Sequence, residues 1–248
     1  MQNNIVLLDM EEVHLVNLNS SGVIAAFSTR SLNLGFHNCS LIKDNRKHFL
    51  DYLKINYRWI VCLQQAHKGN VKEVTIDDRG KGALDYNDAI ADVDALITKE
   101  KGLPLAVFTA DCLSIFLYDK MTPSIGLVHA GWKGTYSNIT RNTIEMMQRR
   151  FNTQPGDLTV AFGPAIRSCC YEVKSDLRRY FPQDIILRND KLYLDLISLN
   201  KKLLISLGIK DNQILDSGIC TSCQNKEFFS YRKEGKKAGR MMSVIMLR

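Results

Sequence analysis

Short apolar runs alternate with helix-like patterns along the 248 residues of the chain. Apolar runs that end in turn residues predict strands, whereas apolar residues three and four positions apart predict helices. Strands are therefore predicted at residues 22–29, 59–64, 71–76, 95–98, 124–130, 158–162, 227–231 and 242–247. Helices are predicted at 46–55, at 137–151 with Thr135 or Ser137 as the cap, and at 196–207 with Gly208 at the end.

A polar interruption divides the longest apolar run, residues 105–118, into two predicted strands. The interruption is the pair Asp111–Cys112, and a turn at 119–123 leads into the returning strand at 124–130. Neighbouring strands joined by a short loop, mixed with helices, favour an α+β fold over a doubly wound parallel sheet. Because no repeat, low-complexity segment or linker divides the sequence, we expect residues 1–248 to form a single domain.

The composition is that of an ordinary globular protein. Hydrophobic residues make up 45% of the chain, which is enough to bury a substantial core. The formal net charge of +7 suits an anionic small molecule or nucleic acid, and equally a basic solvated surface. The first residues lack the pattern of a signal peptide, and no run reaches the roughly 18 apolar residues of a membrane span. We therefore expect a cytoplasmic protein with no membrane partner.

The chain contains seven cysteines, an uneven number, and shows no signs of secretion. A disulfide framework is the weaker interpretation, and metal ligation, a reactive thiol or plain burial are the stronger ones. Cys220 and Cys223 have the spacing of half a zinc ribbon, but no second C-x-x-C follows. Cys169 and Cys170 are adjacent, and the sequence shows no partner for them. The remaining cysteines are Cys39, Cys62 and Cys112.

Three residues with metal-binding side chains lie where predicted strands end or break. They are His67, Cys112 and His129. Two imidazoles and a thiolate are a credible ligand set for zinc, and a tetrahedral ion would keep a fourth position for water or substrate. Their long spacing is equally consistent with a buried Cys112 and two hydrogen-bonded core histidines. His14, His37 and His48 are predicted to be surface or core residues.

Anion binding has two candidate sources. The corner at Gly131–Gly134 leads into a helix, and a helix N-terminus beside Lys133 would attract an anion, although a simple turn is the alternative. A basic segment at 232–240 could hold phosphate groups or form a solvated loop; it contains Arg232, Lys233, Lys236, Lys237 and Arg240. The sequence has no GxxxxGK[ST] and no GxGxxG phosphate loop.

Several ordered motifs together resemble the laccase-domain family, also called the multicopper polyphenol oxidoreductases, which includes purine nucleoside phosphorylases. The segments that carry the resemblance are STRSLNLGFH (28–37), LQQAHKGNV (63–71), ADVDALIT (91–98), TADCLSIFLYD (109–119), HAGWKGT (129–135), GPAIRSCCYEV (163–173), FFSYR (228–232) and GR (239–240). The chain departs from the family at Ser114, where a proline is usual, and at Lys133, where an arginine is usual. A glycine-rich stretch that precedes SLNLG in the family is also missing.

The resemblance implies a four-layer αββα sandwich with mixed sheets and a metal site at His67, Cys112 and His129. It implies phosphorolysis of adenosine, inosine, guanosine and methylthioadenosine, with adenosine deamination as a second activity. Zinc lowers the pKa of bound water to near 7, which suits attack at C6 of adenine.

The remaining roles are assigned from the same motifs. Arg30, Lys133 and Arg232 are candidates for holding phosphate, and Trp132 and Tyr171 for stacking on the base. Asp111 is the candidate for proton transfer. The expected partners are thus nucleosides and phosphate rather than nucleic acid, and the sequence does not set the oligomeric state.

Three alternatives stay open. A multicopper laccase needs about ten histidines, because imidazole dominates copper sites, and this chain has five. A single copper ion at His67, Cys112 and His129 remains the first alternative. A metal-free hydrolase would use Cys112 as a nucleophile activated by His129 or His67. Such a hydrolase suits the editing of cell-wall precursors, to which some relatives are linked. A binding module without activity is the third.

Overall fold

The computed structural model describes residues 12–36 and 40–248, so residues 1–11 and 37–39, among them His37 and Cys39, lie outside the described residues. The strands are β1 (Val13–Leu15), β2 (Val23–Ser28), β3 (Val61–Cys62), β4 (Val71–Glu73), β5 (Ala95–Thr98), β6 (Leu105–Thr109), β7 (Leu113–Asp119), β8 (Ser124–Ala130), β9 (Leu158–Phe162), β10 (Glu172–Val173), β11 (Ile185–Arg188), β12 (Lys191–Leu194), β13 (Ile214–Asp216) and β14 (Met241–Leu247). The α-helices are α1 (Ser40–Tyr52), α2 (Trp132–Tyr136), α3 (Ile139–Phe151), α4 (Leu196–Ser206) and α5 (Tyr231–Glu234). Short 3₁₀ helices lie at Tyr57–Trp59, Ile76–Asp78, Tyr86–Asp88, Pro155–Asp157, Ser175–Arg179, Asp211–Gln213 and Gly235–Lys237.

Two mixed sheets form the centre of the fold. One has the strand order β1-β2-β14-β6-β3, antiparallel except where β3 pairs with β6. The other has the order β13-β9-β7-β8-β5-β4, with parallel pairs at its two edges. A small antiparallel sheet, β10-β12-β11, lies beside them. The prediction of an α+β fold with mixed sheets is confirmed.

The two large sheets pack face to face, and helices cover their outer faces. Inward side chains such as Phe27, from the five-stranded sheet, and Phe116, from the six-stranded sheet, share one core. On the outer side of the five-stranded sheet, Phe49 of α1 packs in a second core. On the outer side of the six-stranded sheet, Met147 of α3 and Leu204 of α4 pack in a third. This order of layers is the predicted αββα sandwich.

Burial on both faces explains why the central strands appear in the sequence as continuous apolar runs rather than as alternating patterns. Along β14, Met241 and Ile245 point into the inner core, whereas Met242 and Val244 point into the core beneath α1. Every residue of β7 and of β8 is buried. Among residues 12–36 and 40–248, no helix combines the length and the apolar character that crossing a membrane requires.

The predicted strand at 227–231 is wrong, because the chain turns there and then enters α5. Phe228 and Phe229 are buried, which produced the strand-like pattern, but they reach the core from a loop. Ser230 ends that loop as the N-cap of α5, where its side chain accepts a hydrogen bond from the backbone N–H of Lys233. The predicted strand at 59–64 is shorter than expected: only Val61–Cys62 is strand, and Tyr57–Trp59 is a 3₁₀ turn.

The predicted helix at 137–151 begins two residues later than expected. Asn138 has a φ of 58°, in the left-handed region, and this residue separates α2 from α3. It is also the N-cap of α3, so neither Thr135 nor Ser137 has the predicted capping role. The helix at 196–207 ends at Ser206, and Gly208 follows with a φ of 96°, as a glycine at a helix end commonly does.

A buried arginine connects α1 to the loops on its side of the sandwich. Arg46 is 3% exposed, and its guanidinium donates hydrogen bonds to the carbonyls of Leu34, Gly35, Gly82 and Ala83. Its Cζ lies 4.2 Å from the ring centroid of Phe36 and 4.8 Å from that of Phe108. The planar group therefore satisfies several carbonyls and also packs against aromatic rings.

Arg46→Lys is expected to lower the free energy of unfolding by about 2–4 kcal/mol, because an ammonium cannot reach all of these carbonyls from one position. Urea denaturation followed by circular dichroism measures the loss. Arg149→Lys is the matched control: Arg149 is exposed on α3 and lies 3.9 Å from Glu145. The control should change stability by less than about 0.5 kcal/mol, and an equally small effect at Arg46 would contradict the expectation.

Candidate metal centre

The polar break at Asp111–Cys112 is the point where the chain crosses from one large sheet to the other. Strand β6 of the five-stranded sheet ends at Thr109, and β7 of the six-stranded sheet begins at Leu113. Asp111 has a φ of 89°, a left-handed conformation that a residue with a Cβ rarely adopts. Its carboxylate accepts hydrogen bonds from the Thr221 hydroxyl at 2.7 Å and from the Arg232 backbone N–H at 2.6 Å. These bonds hold the strained crossing in place.

The three predicted ligands converge at this crossing. Cys112 directly precedes β7, and the antiparallel register of β7 with β8, Ser114 opposite His129, brings His129 to the same end of the sheet. His67 lies in the loop after β3 with a φ of 56°, again left-handed. One ligand atom of each residue lies within 4.8 Å of the other two. The two imidazole rings stand nearly perpendicular, with centroids 4.8 Å apart.

Asp94, which the sequence did not single out, holds both histidines. It is fully buried just before β5, and its carboxylate accepts a hydrogen bond from Nδ1–H of His129 at 2.8 Å. The same carboxylate accepts hydrogen bonds from the backbone N–H groups of His67, at 3.0 Å, and Lys68, at 2.6 Å. Burial opposes its ionisation, but the His129 imidazole and these N–H groups outweigh it and lower the pKa of Asp94. A charged residue immediately before a short, mostly apolar strand was the available signal.

The hydrogen bond that His129 donates to Asp94 also determines which nitrogen of His129 faces the centre. With Nδ1 protonated and bonded to the carboxylate, the lone pair of Nε2 is available to a metal ion. The loop that carries His67 is fixed separately, because both ends of the Gln65 side-chain amide bond to the backbone of Phe108, at 2.8 Å each. A Cβ on Gly131 would lie 2.9 Å from Sγ of Cys112, so only glycine leaves room for the thiol there.

The charges at the centre favour a thiolate. Burial raises the pKa of a thiol, but the imidazoles of His129 and His67 outweigh this effect and lower the pKa of Cys112 to about 6. Burial likewise disfavours a charged His129, but the Cys112 thiolate and the Asp94 carboxylate raise the pKa of His129 to about 9. Without a metal ion, Cys112 and His129 therefore form a thiolate–imidazolium pair around neutral pH.

The donor set fits a zinc ion. Zinc binds imidazole nitrogen at about 2.0–2.1 Å and thiolate sulfur at about 2.3 Å, so the sulfur and a nitrogen bound to one ion lie at most about 4.4 Å apart. The three ligand atoms, all within 4.8 Å of one another, reach this geometry with a small adjustment. His67 is exposed, Cys112 is partly buried and His129 is 2% exposed, so the open side of the site is that of His67.

The centre opens into a cavity of about 480 Å³. Of the other predicted site residues, Asp111, Trp132, Tyr171 and Arg232 line this cavity, and so does Arg240. Cavities of about 300–1,000 Å³ are typical of small-molecule sites. The combination of aromatic side chains and arginines suits a ligand with a planar apolar part and an anionic part.

Arg30 and Lys133 are absent from the described lining of the cavity. The Arg30 guanidinium pairs with Glu234 at 2.8 Å, donates to the carbonyl of Asn225 and lies 5.0 Å from the ring centroid of Phe229. Lys133 is exposed, and its helix, α2, is only five residues long. Arg240, which the sequence analysis named only within a basic segment, is the additional cation of the cavity.

The other described histidines lie away from the metal centre. His14 is 6% exposed and packs against the rings of Phe27 and Phe228. His48 is exposed, and its Nε2 lies 2.7 Å from a carboxylate oxygen of Glu12. Among the described residues, two histidines therefore contribute to this centre, together with Cys112.

Comparisons with known proteins agree with the fold and with the motifs. The family model described as multi-copper polyphenol oxidoreductase laccase matches residues 13–248. Purine nucleoside phosphorylase YlmD of Bacillus subtilis (strain 168) is 35% identical over 251 residues, which cover 92% of this chain and 90% of that protein. Adenosine deaminase RL5, from an unknown prokaryotic organism, is 31% identical over 248 residues, covering 90% of this chain and 93% of that protein.

A solved structure extends the agreement to the backbone. The crystal structure of the Bacillus licheniformis hypothetical protein YfiH superposes with a TM-score of 0.92 at 34% sequence identity, and the match covers 97% of this chain and 98% of that chain. Both the sequence match and the structural match run through nearly the whole chain. The chain therefore belongs to the family of multi-copper polyphenol oxidoreductase laccases, the group that its motifs resemble.

Proposed function

We propose that this protein is a zinc-dependent purine nucleoside phosphorylase that acts on adenosine, inosine, guanosine and methylthioadenosine, with adenosine deamination as a second activity. The observation that carries the proposal is the convergence of His67, Cys112 and His129 at the wall of a cavity that arginines and aromatic rings also line. The names of relatives that match nearly the whole chain support it. The reduced Cys112 thiol that the site needs suits the cytoplasm.

The metal would be held by Nε2 of His129, the Cys112 thiolate and a ring nitrogen of His67. A zinc ion there supplies a Lewis acid and lowers the pKa of bound water to near 7. Asp94 keeps His129 in the ligating tautomer, and Gly131 leaves space for the sulfur. The open side of the site faces the cavity, where a substrate can reach it.

In phosphorolysis, a phosphate oxygen forms a bond to C1′ of the ribose while the bond from C1′ to the purine nitrogen breaks. The purine leaves with the electron pair of that bond. We assign phosphate binding to Arg232 and Arg240, because guanidinium groups match phosphate oxygens in pairs. We assign stacking on the purine to Tyr171 and Trp132, which also line the cavity.

For deamination, we retain Asp111 as the candidate for proton transfer. Its carboxylate is on the cavity wall, where a proton must move between water and the leaving amine. Both of its oxygens also accept hydrogen bonds, from the Thr221 hydroxyl and from the Arg232 backbone N–H, and these bonds fix the position of the carboxylate.

A single copper ion would use the same ligands and is the oxidoreductase alternative, since two imidazoles and a thiolate also suit copper. The full set of coppers in a laccase needs about ten histidines, and this chain has five. A metal-free cysteine hydrolase is the second candidate function. The observation in its favour is the Cys112 thiolate beside the charged His129.

Cys112→Ala is expected to reduce phosphate-dependent release of hypoxanthine from inosine by on the order of 100-fold or more, because the centre loses its only thiolate ligand. The assay is run with and without phosphate, and zinc is measured by elemental analysis. Cys62→Ala is the matched control, because burial raises the pKa of Cys62 to about 12 and its thiol stays protonated. The hydrolase alternative predicts instead that a chelator preserves or raises the activity of the unmutated protein.

Asp94→Asn is expected to weaken zinc binding by about 10–100-fold, because an amide does not stabilise the ligating form of His129 as a carboxylate does. Competition with a chromophoric chelator measures the affinity. Asp92→Asn is the control: Asp92 is exposed two residues earlier and pairs with Lys68 at 2.7 Å. If both variants are folded by circular dichroism and bind zinc with equal affinity, Asp94 does not support metal binding.

Arg232→Gln is expected to raise the KM for phosphate by about 10-fold or more, because a charged hydrogen bond to phosphate is lost. The KM for inosine should change less. Lys133→Gln provides the comparison, because Lys133 is outside the cavity lining and should leave the KM for phosphate within about twofold. If Lys133→Gln raises the KM for phosphate strongly and Arg232→Gln does not, phosphate binding belongs to Lys133 instead of Arg232.

A further inference from the structure

Four cysteines that are distant in sequence lie together beside the cavity. Cys169 and Cys170 follow β9 in one loop, and Cys220 and Cys223 follow β13 in another. The four sulfur atoms all lie within 4.8 Å of one another. Sγ of Cys223 is 3.5 Å from Sγ of Cys169 and 3.3 Å from Sγ of Cys170. This cluster shares no residue with the centre at His67, Cys112 and His129.

The backbone brings the two loops together without help from the sulfurs. Ala165 forms a parallel bridge with Cys220, and the Thr221 N–H donates to the carbonyl of Ala165 at 3.1 Å. Nε of Arg167 donates to the carbonyl of Ile219 at 3.2 Å, and its guanidinium also pairs with Asp216. The four thiols are therefore held close before any ion binds, which reduces the entropic cost of binding one.

The spacing of the sulfurs matches one tetrahedral ion. With Zn–S bonds of about 2.3 Å, the sulfurs of a tetrahedral site lie about 3.8 Å apart. The two sulfur–sulfur distances of 3.3 and 3.5 Å lie close to this value, and the other pairs lie within 4.8 Å. A disulfide would need about 2.05 Å and would join only two of the four. An iron–sulfur cluster must fit several irons and sulfides between its cysteines, which requires more space.

Without a metal ion, the four thiols differ in how readily they ionise. Burial opposes ionisation of Cys220, but the backbone N–H groups of Cys223 and Arg167 act on its sulfur and lower the pKa of Cys220. Burial and the neighbouring thiols raise the pKa of Cys169, and the Cys170 thiol raises the pKa of Cys223 to about 11, so a divalent ion has to displace these protons. Nη2 of Arg188 donates to the carbonyls of Ser168, at 3.2 Å, and Cys169, at 3.1 Å. A guanidinium thus lies beside a site that carries a negative charge once four thiolates surround a divalent ion.

We propose that Cys169, Cys170, Cys220 and Cys223 bind one Zn²⁺ ion in a closed, structural site, the second metal site of this protein. Each thiol that ligates the ion releases its proton to solvent, and the ion gives up water in exchange. Cys169 and Cys223 are exposed, so the ion enters from the surface, whereas Cys220 is 5% exposed and anchors the site.

The site would join two walls of the cavity. Cys170 precedes Tyr171, which lines the cavity, and Cys220 precedes Thr221, which bonds to the carboxylate of Asp111. With four protein ligands the ion has no position for substrate, so it acts by holding these loops. The proposal does not depend on the reaction assigned to the first centre.

Zinc content tests the proposal with four variants purified under reducing conditions. The unmutated protein and Cys62→Ala should each hold about two zinc ions per chain, Cys112→Ser and Cys223→Ser about one, and the double variant C112S/C223S close to none. X-ray absorption of the zinc in Cys112→Ser should show about four sulfur neighbours near 2.3 Å and no nitrogen. A zinc-free Cys112→Ser protein would overturn the proposal, and so would iron in place of zinc.

Two further measurements apply if Cys223→Ser folds poorly. In zinc-loaded Cys112→Ser, iodoacetamide should leave all four cysteines unmodified although two are exposed, and a chelator should make them reactive. The chelator should also lower the thermal midpoint of Cys112→Ser by several degrees, and added zinc should restore it. Equal alkylation with and without zinc, or a disulfide among the four found by mass spectrometry, would contradict a zinc site.

Discussion

The buried carboxylate of Asp94 accepts hydrogen bonds from both histidines of the candidate metal centre. His129 donates from its imidazole ring, and His67 donates from its backbone N–H. Asp94 lies at the start of β5, in the six-stranded sheet, whereas His67 belongs to the loop that follows β3 of the five-stranded sheet. A buried charge that loses its partner costs about 3–5 kcal/mol. The folded sandwich therefore keeps Asp94 and His129 together, and the hydrogen bond at Nδ1 leaves Nε2 as the ring nitrogen that can serve a metal ion.

The crossing between the two sheets imposes the second constraint on the site. Residues 110–112 must pass from β6 to β7 within a tight space, and the backbone of Asp111 takes a left-handed conformation to do so. A conformation of this kind costs of order 1–3 kcal/mol and persists where the surroundings fix it. Here the surroundings are Thr221 and Arg232, which belong to the far end of the chain. The loops that line the cavity thus also hold Cys112 at its position.

The sequence predicted the parts of the fold whose patterns are local. Strands at 124–130 and 158–162 have the predicted bounds, because turn residues flank continuous apolar runs. The run at 227–231 has the same apolar character but forms no strand, since its two phenylalanines enter the core from a loop. The resemblance pointed to His67, Cys112 and His129 as ligands, and their spacing alone left open whether they meet; the structure brings the three side chains together. Asp94 was missed because its role depends on the pairing of β5 with β8, which no local pattern reveals.

The cysteines show why the chemistry of a residue follows from its surroundings rather than from its type. Cys62 is buried among apolar groups, which raise the pKa of its thiol to about 12 and leave it unreactive. Cys112 is partly buried, yet two imidazoles outweigh the effect of burial and lower the pKa of its thiol to about 6. The thiols at 169, 170, 220 and 223 have other sulfurs as neighbours, and among them a shared ion is the arrangement that offsets mutual repulsion between thiolates. Neither pair of cysteines has a partner nearby in the sequence, because Cys170 and Cys223 are 53 residues apart. Backbone contacts between the two loops, such as the bridge of Ala165 with Cys220, bring the pairs together.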